Sequence, residues 1–367
     1  MAGGGVLVAA GGTGGHLFPA EALAAALTKR NIAVGLLTDP RAARHAGAFA
    51  PNAVHVIPSA TVRGRDPLSL AKTIGLLGYG TAKAWMMLPG LKPDVVVGFG
   101  GYPTVPPVLA ATLRGIPTVV HEQNAVMGRA NRFLAPRVRA IAMGFPGVVK
   151  NNAELDAKAT QTGNPVRPAV IAAASIPYPS LSEDGPLHLV VFGGSQGARV
   201  MADIVPPAIE KLDAPLRARL RIVQQARDED LSRVRDLYSR LQVQADVAPF
   251  FNDLPARMAA GHLIVSRSGA STVAELAAIG RPGILVPLPH ALDQDQRANA
   301  GVLMDAGGAI RLDQSEFTPE RLSQEISALA AAPQRLSAMA AAAKASGSID
   351  AADRLADLVL RVAGITK

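Results

Sequence analysis

At 367 residues the chain is long for one hydrophobic core, and two domains of roughly 150–200 residues are expected. Hydrophobic residues make up 49% and charged residues 18%, with 35 Gly and 28 Pro to supply turns, which excludes disordered and fibrous classes. The absence of cysteine excludes disulfides, thiolate nucleophiles and Cys-ligated metal, and agrees with a reducing compartment such as the cytoplasm. The formal charge of +8 is unevenly spread: residues 1–165 hold 16 Lys/Arg against 7 Asp/Glu, and residues 166–367 hold 21 against 22. The first half alone is therefore expected to face something anionic, whether nucleic acid, an acidic membrane surface or a phosphorylated substrate, unless the excess is simply a solvated basic face.

The uncharged opening up to Ala20 has no basic n-region and breaks at glycines, so it reads as mature structure and not as a signal peptide. Short β-rich runs then alternate with helical patterns: "GVLVAA" (5–10), "IAVGLLT" (32–38), "DVVVGF" (94–99), "PTVVHE" (117–122) and "VRAIAM" (138–143). That alternation predicts an α/β domain built on a parallel sheet. Leu23, Ala24 and Leu27 form one stripe of a crossover helix that ends in Lys29 and Arg30, as the helix dipole prefers. Residues 95–113 carry no charge, yet Pro103, Pro106 and Pro107 argue for strand, loop and helix over a membrane span.

"TGNPVRPAV" (162–170), with two prolines and a glycine, predicts an interdomain crossing and a boundary near residue 165. A second series follows: "LHLVVFGGSQGA" (187–198), "LRIVQQA" (220–226), "VQADVAPF" (243–250), "HLIVS" (262–266) and "PGILVPL" (282–288). Each half thus opens with strand, Gly-rich turn and helix. The rest is mostly helical, broken at "SGSID" before a last helix over 351–364.

The turn "GGTGGHLFPA" (11–20) lets the backbone approach a ligand and places a helix N-terminus behind it, which suits an anion. It is not the dinucleotide fingerprint, since a third glycine would fall at Leu17, and it lacks the Lys-Ser/Thr pair of a P-loop. His16 stands at the carboxyl end of the sheet, as a base or as a helix-capping histidine. "GFGGYPTVPP" (98–107) and "HEQN" (121–124) close on the same rim, the latter offering polar groups for polyol hydroxyls; with no H-E-x-x-H, metal is discounted. In the second half "FGGSQGA" presents amides and Ser195. "SRSGASTVAEL" opens a helix bearing Ser271, Thr272 and Glu275, a carboxylate suited to a ribose diol or to an ordinary first-turn role.

Seven blocks, "GGTGGHLFPA", "GFGGYPTVPP", "HEQNAVMGRANR", "TGNPVR", "GGSQGA", "SRSGASTVAELAAIGRP" and "DQDQRANA", make the chain resemble the MurG family of bacterial glycosyltransferases over nearly its whole length. The resemblance implies an α/β GT-B fold: two Rossmann-like domains with parallel sheets facing across a cleft. Residues 1–165 would be the N-terminal, acceptor-binding and membrane-facing domain, and 166–350 the C-terminal UDP-GlcNAc-binding domain. Residues 351–367 would be a C-terminal helix packing back on the first. It implies transfer of GlcNAc from UDP-GlcNAc, with inversion, to the C4 hydroxyl of lipid I, the undecaprenyl-diphosphate-linked MurNAc-pentapeptide, giving lipid II for peptidoglycan synthesis and hence for cell shape and division.

By the same resemblance Glu275 holds the ribose, Ser195 and Arg167 the diphosphate, and Ala270, Ser271 and Thr272 form the helix start beneath the phosphates. Phe251, in "PFFNDL", lies in the loop whose backbone holds uracil. Gln296 meets the sugar, with Gln294 the alternative because "HALDQDQRANA" is a residue longer than in some relatives. Thr13, Gly14, Gly15 and Asn124 touch the sugar from the other domain. His16 becomes the candidate catalytic base or acceptor-diphosphate ligand, and Tyr102 an acceptor-side residue.

No cofactor and no metal are expected, since no D-x-D motif sits at a strand end; Arg167 and amides near Ser195 and Ser271 would stabilise the leaving diphosphate. Residues 67–90, with Leu70, Ile74, Leu77, Trp85 and Met86 among Lys72 and Lys83, suit either an interfacial helix on anionic inner-membrane lipid or a core-facing helix. The expected placement is peripheral, on the cytoplasmic face of the bacterial inner membrane. Aromatics at 4% offer few platforms for bases, so no nucleic-acid partner is expected. The rival reading is another GT-B enzyme using a UDP-sugar, a UDP-GlcNAc 2-epimerase or a lipid glycosyltransferase.

Overall fold

The computed structural model describes residues 4–11, 14–45, 49–59, 67–182, 184–194, 197–289 and 293–365. Thr13 and Ser195 lie outside the described residues. The chain divides into two compact units, Met1–Arg167 with Asp350–Lys367, and Pro168–Ile349.

The first unit runs β1 (Val6–Ala9), α1 (Gly14–Lys29), β2 (Val34–Thr38), β3 (Val54–Val56), α2 (Pro67–Leu91), β4 (Val95–Gly98), α3 (Val105–Leu113), β5 (Thr118–Glu122), α4 (Arg129–Leu134), β6 (Ala140–Met143), α5 (Ala153–Asp156) and β7 (Ala159–Gln161). Among the described residues its sheet is all parallel, in the order β3-β2-β1-β4-β5-β6-β7. Every residue of β1, β4 and β5 is buried, because helices cover both faces; β1 and β4 are apolar accordingly, whereas β5 also buries the polar Thr118, His121 and Glu122. β3 and β7 escape the sequence reading: each is a three-residue edge strand with little burial, so neither carries a hydrophobic run.

The second unit runs α6 (Pro168–Ala174), β8 (Leu187–Phe192), α7 (Arg199–Glu210), α8 (Ala214–Arg219), β9 (Leu220–Gln225), α9 (Leu231–Arg240), β10 (Gln244–Ala248), α10 (Leu254–Ala260), β11 (Leu263–Ser266), α11 (Ala270–Ile279), β12 (Gly283–Leu285), α12 (Asp295–Asp305), β13 (Ala309–Arg311), α13 (Pro319–Ala330) and α14 (Pro333–Ser346). Its parallel sheet has the order β10-β9-β8-β11-β12-β13, the short edge strand β13 again being absent from the sequence reading. Arg281 is 1% exposed and holds this unit together at one end. Its guanidinium donates to the carbonyls of Ala259, Ile279, Gly280, Ile176 and Pro177. Carbonyls at the C-terminal ends of α10 and α11 carry partial negative charge, which is why a cation can be buried there without a carboxylate.

The helix α15 (Ala351–Ala363) belongs to the first unit. Leu355, Ala356, Val359 and Leu360 bury against Leu23, Ala24 and Leu27 of α1 in one core cluster. Arg30 adds ion pairs to Asp353, at 3.0 Å, and Asp357, both carboxylates largely exposed and so worth little beside the apolar contact.

In both units the strand order reverses at one place, between β1 and β4 and between β8 and β11. Such reversals open a crevice at the carboxyl ends of the strands, where doubly wound folds bind their ligands.

Candidate functional site

At the reversal in the first unit the turn after β1 leads into α1, and the turn after β4 consists of Gly100 and Gly101, with φ of 81° and 72°. Residues with side chains rarely adopt that backbone, and the His16 ring comes close to both glycines. A Cβ at Gly101 would lie 3.3 Å from His16 Cδ2, and one at Gly100 3.5 Å from His16 Cε1. The His16 imidazole therefore packs beside these two glycines. Tyr102 follows in a short 3-10 turn, partly exposed. Gly15 is exposed in the first turn of α1, which Gly14 opens.

The "HEQN" segment does not offer its side chains outward as the sequence suggested. β5 is an interior strand, and His121, Glu122 and Gln123 are buried to 0%, 2% and 3% exposure. Glu122 is spent within the protein: its carboxylate accepts from the backbone N–H groups of Asn124 (2.9 Å) and Gly128 (3.0 Å) and from the amides of Asn124 (3.3 Å) and Asn131 (2.8 Å). It folds the loop that carries Asn124, which stays partly exposed. His121 donates from Nε2 to the Gly163 carbonyl at 3.1 Å, and burial pushes its pKa down to about 4. Gln123 bridges the two histidines, 3.1 Å from His16 Nδ1 and 2.9 Å from His121 Nδ1. Arg167 lies with its guanidinium 5.2 Å from the Phe18 ring of α1.

The second unit repeats the plan. Past β8, Gly194 and Gly197 have φ of 92° and 69°, and a Cβ on Gly193 would sit 2.2 Å from the Ala198 nitrogen, so only glycine lets the chain enter α7 there. Past β11, Gly269 caps α11, whose first turns carry Ala270, Ser271 and Thr272, partly exposed, with Glu275 buried to 7%. The Ser268 hydroxyl donates to the Gln296 carbonyl (2.8 Å), and Gln296 Oε1 accepts from the Leu288 N–H (3.0 Å), which fixes the carboxamide in the first turn of α12. Gln294, at φ 50°, is the exposed N-cap of that helix. A cavity of about 490 Å³ opens here, lined by Pro287, Leu288, Gln294, Arg297, Asp313 and Gln314, a volume ordinary for a small-molecule site. Phe251 follows β10, its ring buried under Arg257 at 4.3 Å.

Residues 6–143 match the glycosyltransferase family 28 N-terminal domain and residues 188–355 the family's C-terminal domain. A curated relative from Rhodopseudomonas palustris (strain HaA2) is 63% identical over 360 residues, 98% of each chain; one from Nitrobacter hamburgensis is 62% identical over 358 residues, 98% of this chain and 97% of its own. Both are named UDP-N-acetylglucosamine–N-acetylmuramyl-(pentapeptide) pyrophosphoryl-undecaprenol N-acetylglucosamine transferase. The crystal structure of Acinetobacter baumannii MurG is similar, with a TM-score of 0.79 at 31% identity over 98% of this chain and 99% of that one. The chain belongs to the MurG family of glycosyltransferases, within family 28. A UDP-GlcNAc 2-epimerase from Neisseria meningitidis also superposes, with a TM-score of 0.68 at 15% identity over 98% of this chain and all of that one, a likeness of fold alone.

Within this MurG-family chain, His16 and the Gly100–Gly101 turn before Tyr102 come together in the first unit, while Ala270, Ser271, Thr272, Glu275 and Gln296 share the β11 end of the second. Sequence reasoning missed Gln123 and His121 as supports of His16, and Glu122 as the organiser of its loop. It also missed Arg267, buried to 8%, which holds the carbonyls of Val286 and Pro287 and the Gln314 side chain. The helix α2 has two faces. Thr73, Gly80, Ala84 and Leu88 are buried, whereas Ile74, Tyr79, Trp85 and Met86 are 45–66% exposed. Lys72 is exposed, Lys83 is tied to the Val56 carbonyl, and Arg114 lies 3.7 Å over the Trp85 ring. Among the described residues no helix is long and apolar enough to cross a membrane.

Proposed function

We propose that this protein transfers GlcNAc from UDP-GlcNAc to the C4 hydroxyl of lipid I, producing lipid II for peptidoglycan synthesis. The observation that carries the reading is 63% identity across 98% of both chains to a transferase named for that reaction; an epimerase likeness confined to fold does not compete with it. The second unit takes the donor. Glu275 holds the ribose diol, the N-terminus of α11 from Ala270 to Thr272 and the amides around Ser195 take the diphosphate with Arg167, the loop at Phe251 holds uracil, and Gln296 meets the sugar. Thr13, Gly14, Gly15 and Asn124 complete the sugar contacts, and Tyr102 serves the acceptor.

The reaction is an inverting displacement. The acceptor oxygen bonds to the anomeric carbon, the bond to UDP breaks, and His16 takes the hydroxyl proton. Charge growing on the departing diphosphate is met by helix-terminal amides and Arg167, contacts of a kind whose loss raises a barrier by about 3–4 kcal/mol. Because the acceptor's tail stays in the bilayer, the exposed apolar face of α2 with its neighbouring cations docks the protein peripherally on the cytoplasmic face of the membrane, on anionic lipid.

The test is incubation with UDP-GlcNAc and a short-chain lipid I analogue, followed by mass analysis for the disaccharide product. Epimerised UDP-sugar without disaccharide refutes the assignment. His16→Ala should lower kcat by about 10²–10⁴-fold, and Glu275→Ala should chiefly raise the KM for UDP-GlcNAc. Unchanged constants reject those roles.

A further inference from the structure

We propose that Gln123 and His121 are positioning residues that lock His16 in the tautomer with its proton on Nδ1, leaving the Nε2 lone pair to receive the acceptor proton. The inference rests on the reading of His16 as the base and adds to it the state in which that base is held.

Two carbonyls fix the chain of donors and acceptors. A carbonyl oxygen can only accept. The Gly163 carbonyl, 3.1 Å from His121 Nε2, therefore requires a proton on that nitrogen. His121 is buried beside the Phe99 ring, at 5.4 Å between centroids, and a neutral imidazole with a proton on Nε2 has a lone pair on Nδ1. The partner of that lone pair, 2.9 Å away, is the Gln123 side chain. The same Gln123 nitrogen lies 3.1 Å from the His121 carbonyl, again an obligate acceptor, so the NH2 end of the amide points at His121 and its oxygen at His16. That oxygen is 3.1 Å from His16 Nδ1 and can only accept. His16 must donate from Nδ1.

The amide cannot turn over without setting its oxygen against a carbonyl and a lone pair. Its backbone is held as well, the Gln123 carbonyl accepting from Asn164 Nδ2 at 2.9 Å and the His121 carbonyl from Asn131 Nδ2 at 3.1 Å. The two histidines consequently carry opposite tautomers. A base in the wrong tautomer presents a proton where a lone pair is needed, and kcat suffers although the geometry survives.

The ring nitrogens can be read directly in full-length protein labelled with 15N-histidine, using two-bond proton–nitrogen correlations, with His16 assigned by its absence in His16→Gln. The expected pattern is a protonated Nδ1 and bare Nε2 on His16, and the reverse on His121. A proton on His16 Nε2 in the wild-type protein overturns the proposal whatever the activity of any variant. Gln123→Met, similar in size with no amide, should mix the His16 tautomers and lower kcat about ten- to a hundred-fold, with the KM for UDP-GlcNAc within about twofold of wild type. An unchanged His16 tautomer together with unchanged turnover in Gln123→Met overturns the positioning role. Failure of His16 as the base shows separately, as undiminished turnover of His16→Ala.

Discussion

The neutral, buried His121 makes the first unit sensitive to acid by an amount that can be worked out. Its pKa falls from 6.5 to about 4 on folding because burial disfavours the cation, so between those pH values the unfolded chain binds a proton that the native state refuses. Stability from this group is complete above pH 6.5 and is lost as pH falls toward 4. At 1.36 kcal/mol per pH unit, lowering pH from 7 to 5 should cost about 2 kcal/mol, rising to roughly 3 kcal/mol by pH 4. The single tryptophan, Trp85 on α2, lies in the first unit and reports its urea unfolding by fluorescence. His55, also in this unit, is depressed by burial as well, so the quantity to measure is a difference: wild type against His121→Gln, each at pH 7 and pH 5. The variant should start less stable and lose about 2 kcal/mol less over that interval. Equal pH slopes would refute the argument that His121 is held neutral by its surroundings.

Gly193→Ala places a methyl 2.2 Å from the Ala198 nitrogen and should destabilise the second unit by about 1–3 kcal/mol, visible by calorimetry, with a higher KM for UDP-GlcNAc. Arg281→Leu leaves five carbonyls without their donor and should cost the same unit roughly 3–5 kcal/mol; a calorimetric change under 1 kcal/mol would contradict the picture of a cation clamping helix ends. Ile74→Ser with Met86→Ser removes apolar contacts from the exposed face of α2. Binding to vesicles containing anionic lipid should weaken by about tenfold or more, while turnover of a water-soluble, short-chain acceptor stays at the wild-type rate.

The central strands were legible because interior parallel strands are rich in Val, Leu and Ile: β8, Leu187–Phe192, opens the run 187–198 marked from the sequence. β3, β7 and β13 were not, since a half-exposed three-residue edge needs no apolar run. The glycine turns could be placed between strand and helix from the sequence, and the structure puts them there with positive φ at Gly100, Gly101, Gly194 and Gly197. Which polar side chains of "HEQN" face inward could not be read from it, because that depends on helices covering both faces of β5, a property of the assembled sheet. α2 shows the same limit differently: its pattern suits a core helix and an interfacial helix alike, and the structure buries one face and leaves the other exposed. Arg281 gave no signal at all. Its acceptors at Ile176 and Pro177 are more than a hundred residues away in the chain, so only the folded unit brings them to one guanidinium.

The return of α15 to the first unit bears on synthesis. The second unit is one continuous stretch and can complete its sheet as soon as Ile349 has emerged from the ribosome, whereas the flank of α1 formed by Leu23 and Leu27 has no cover until residues 355–360 arrive. At 5–20 residues per second, that flank waits about 10–40 s after residue 167. A circular permutant that begins at Asp350 would supply the missing cover first, and should need less help from chaperones in a newly made, partly translated state.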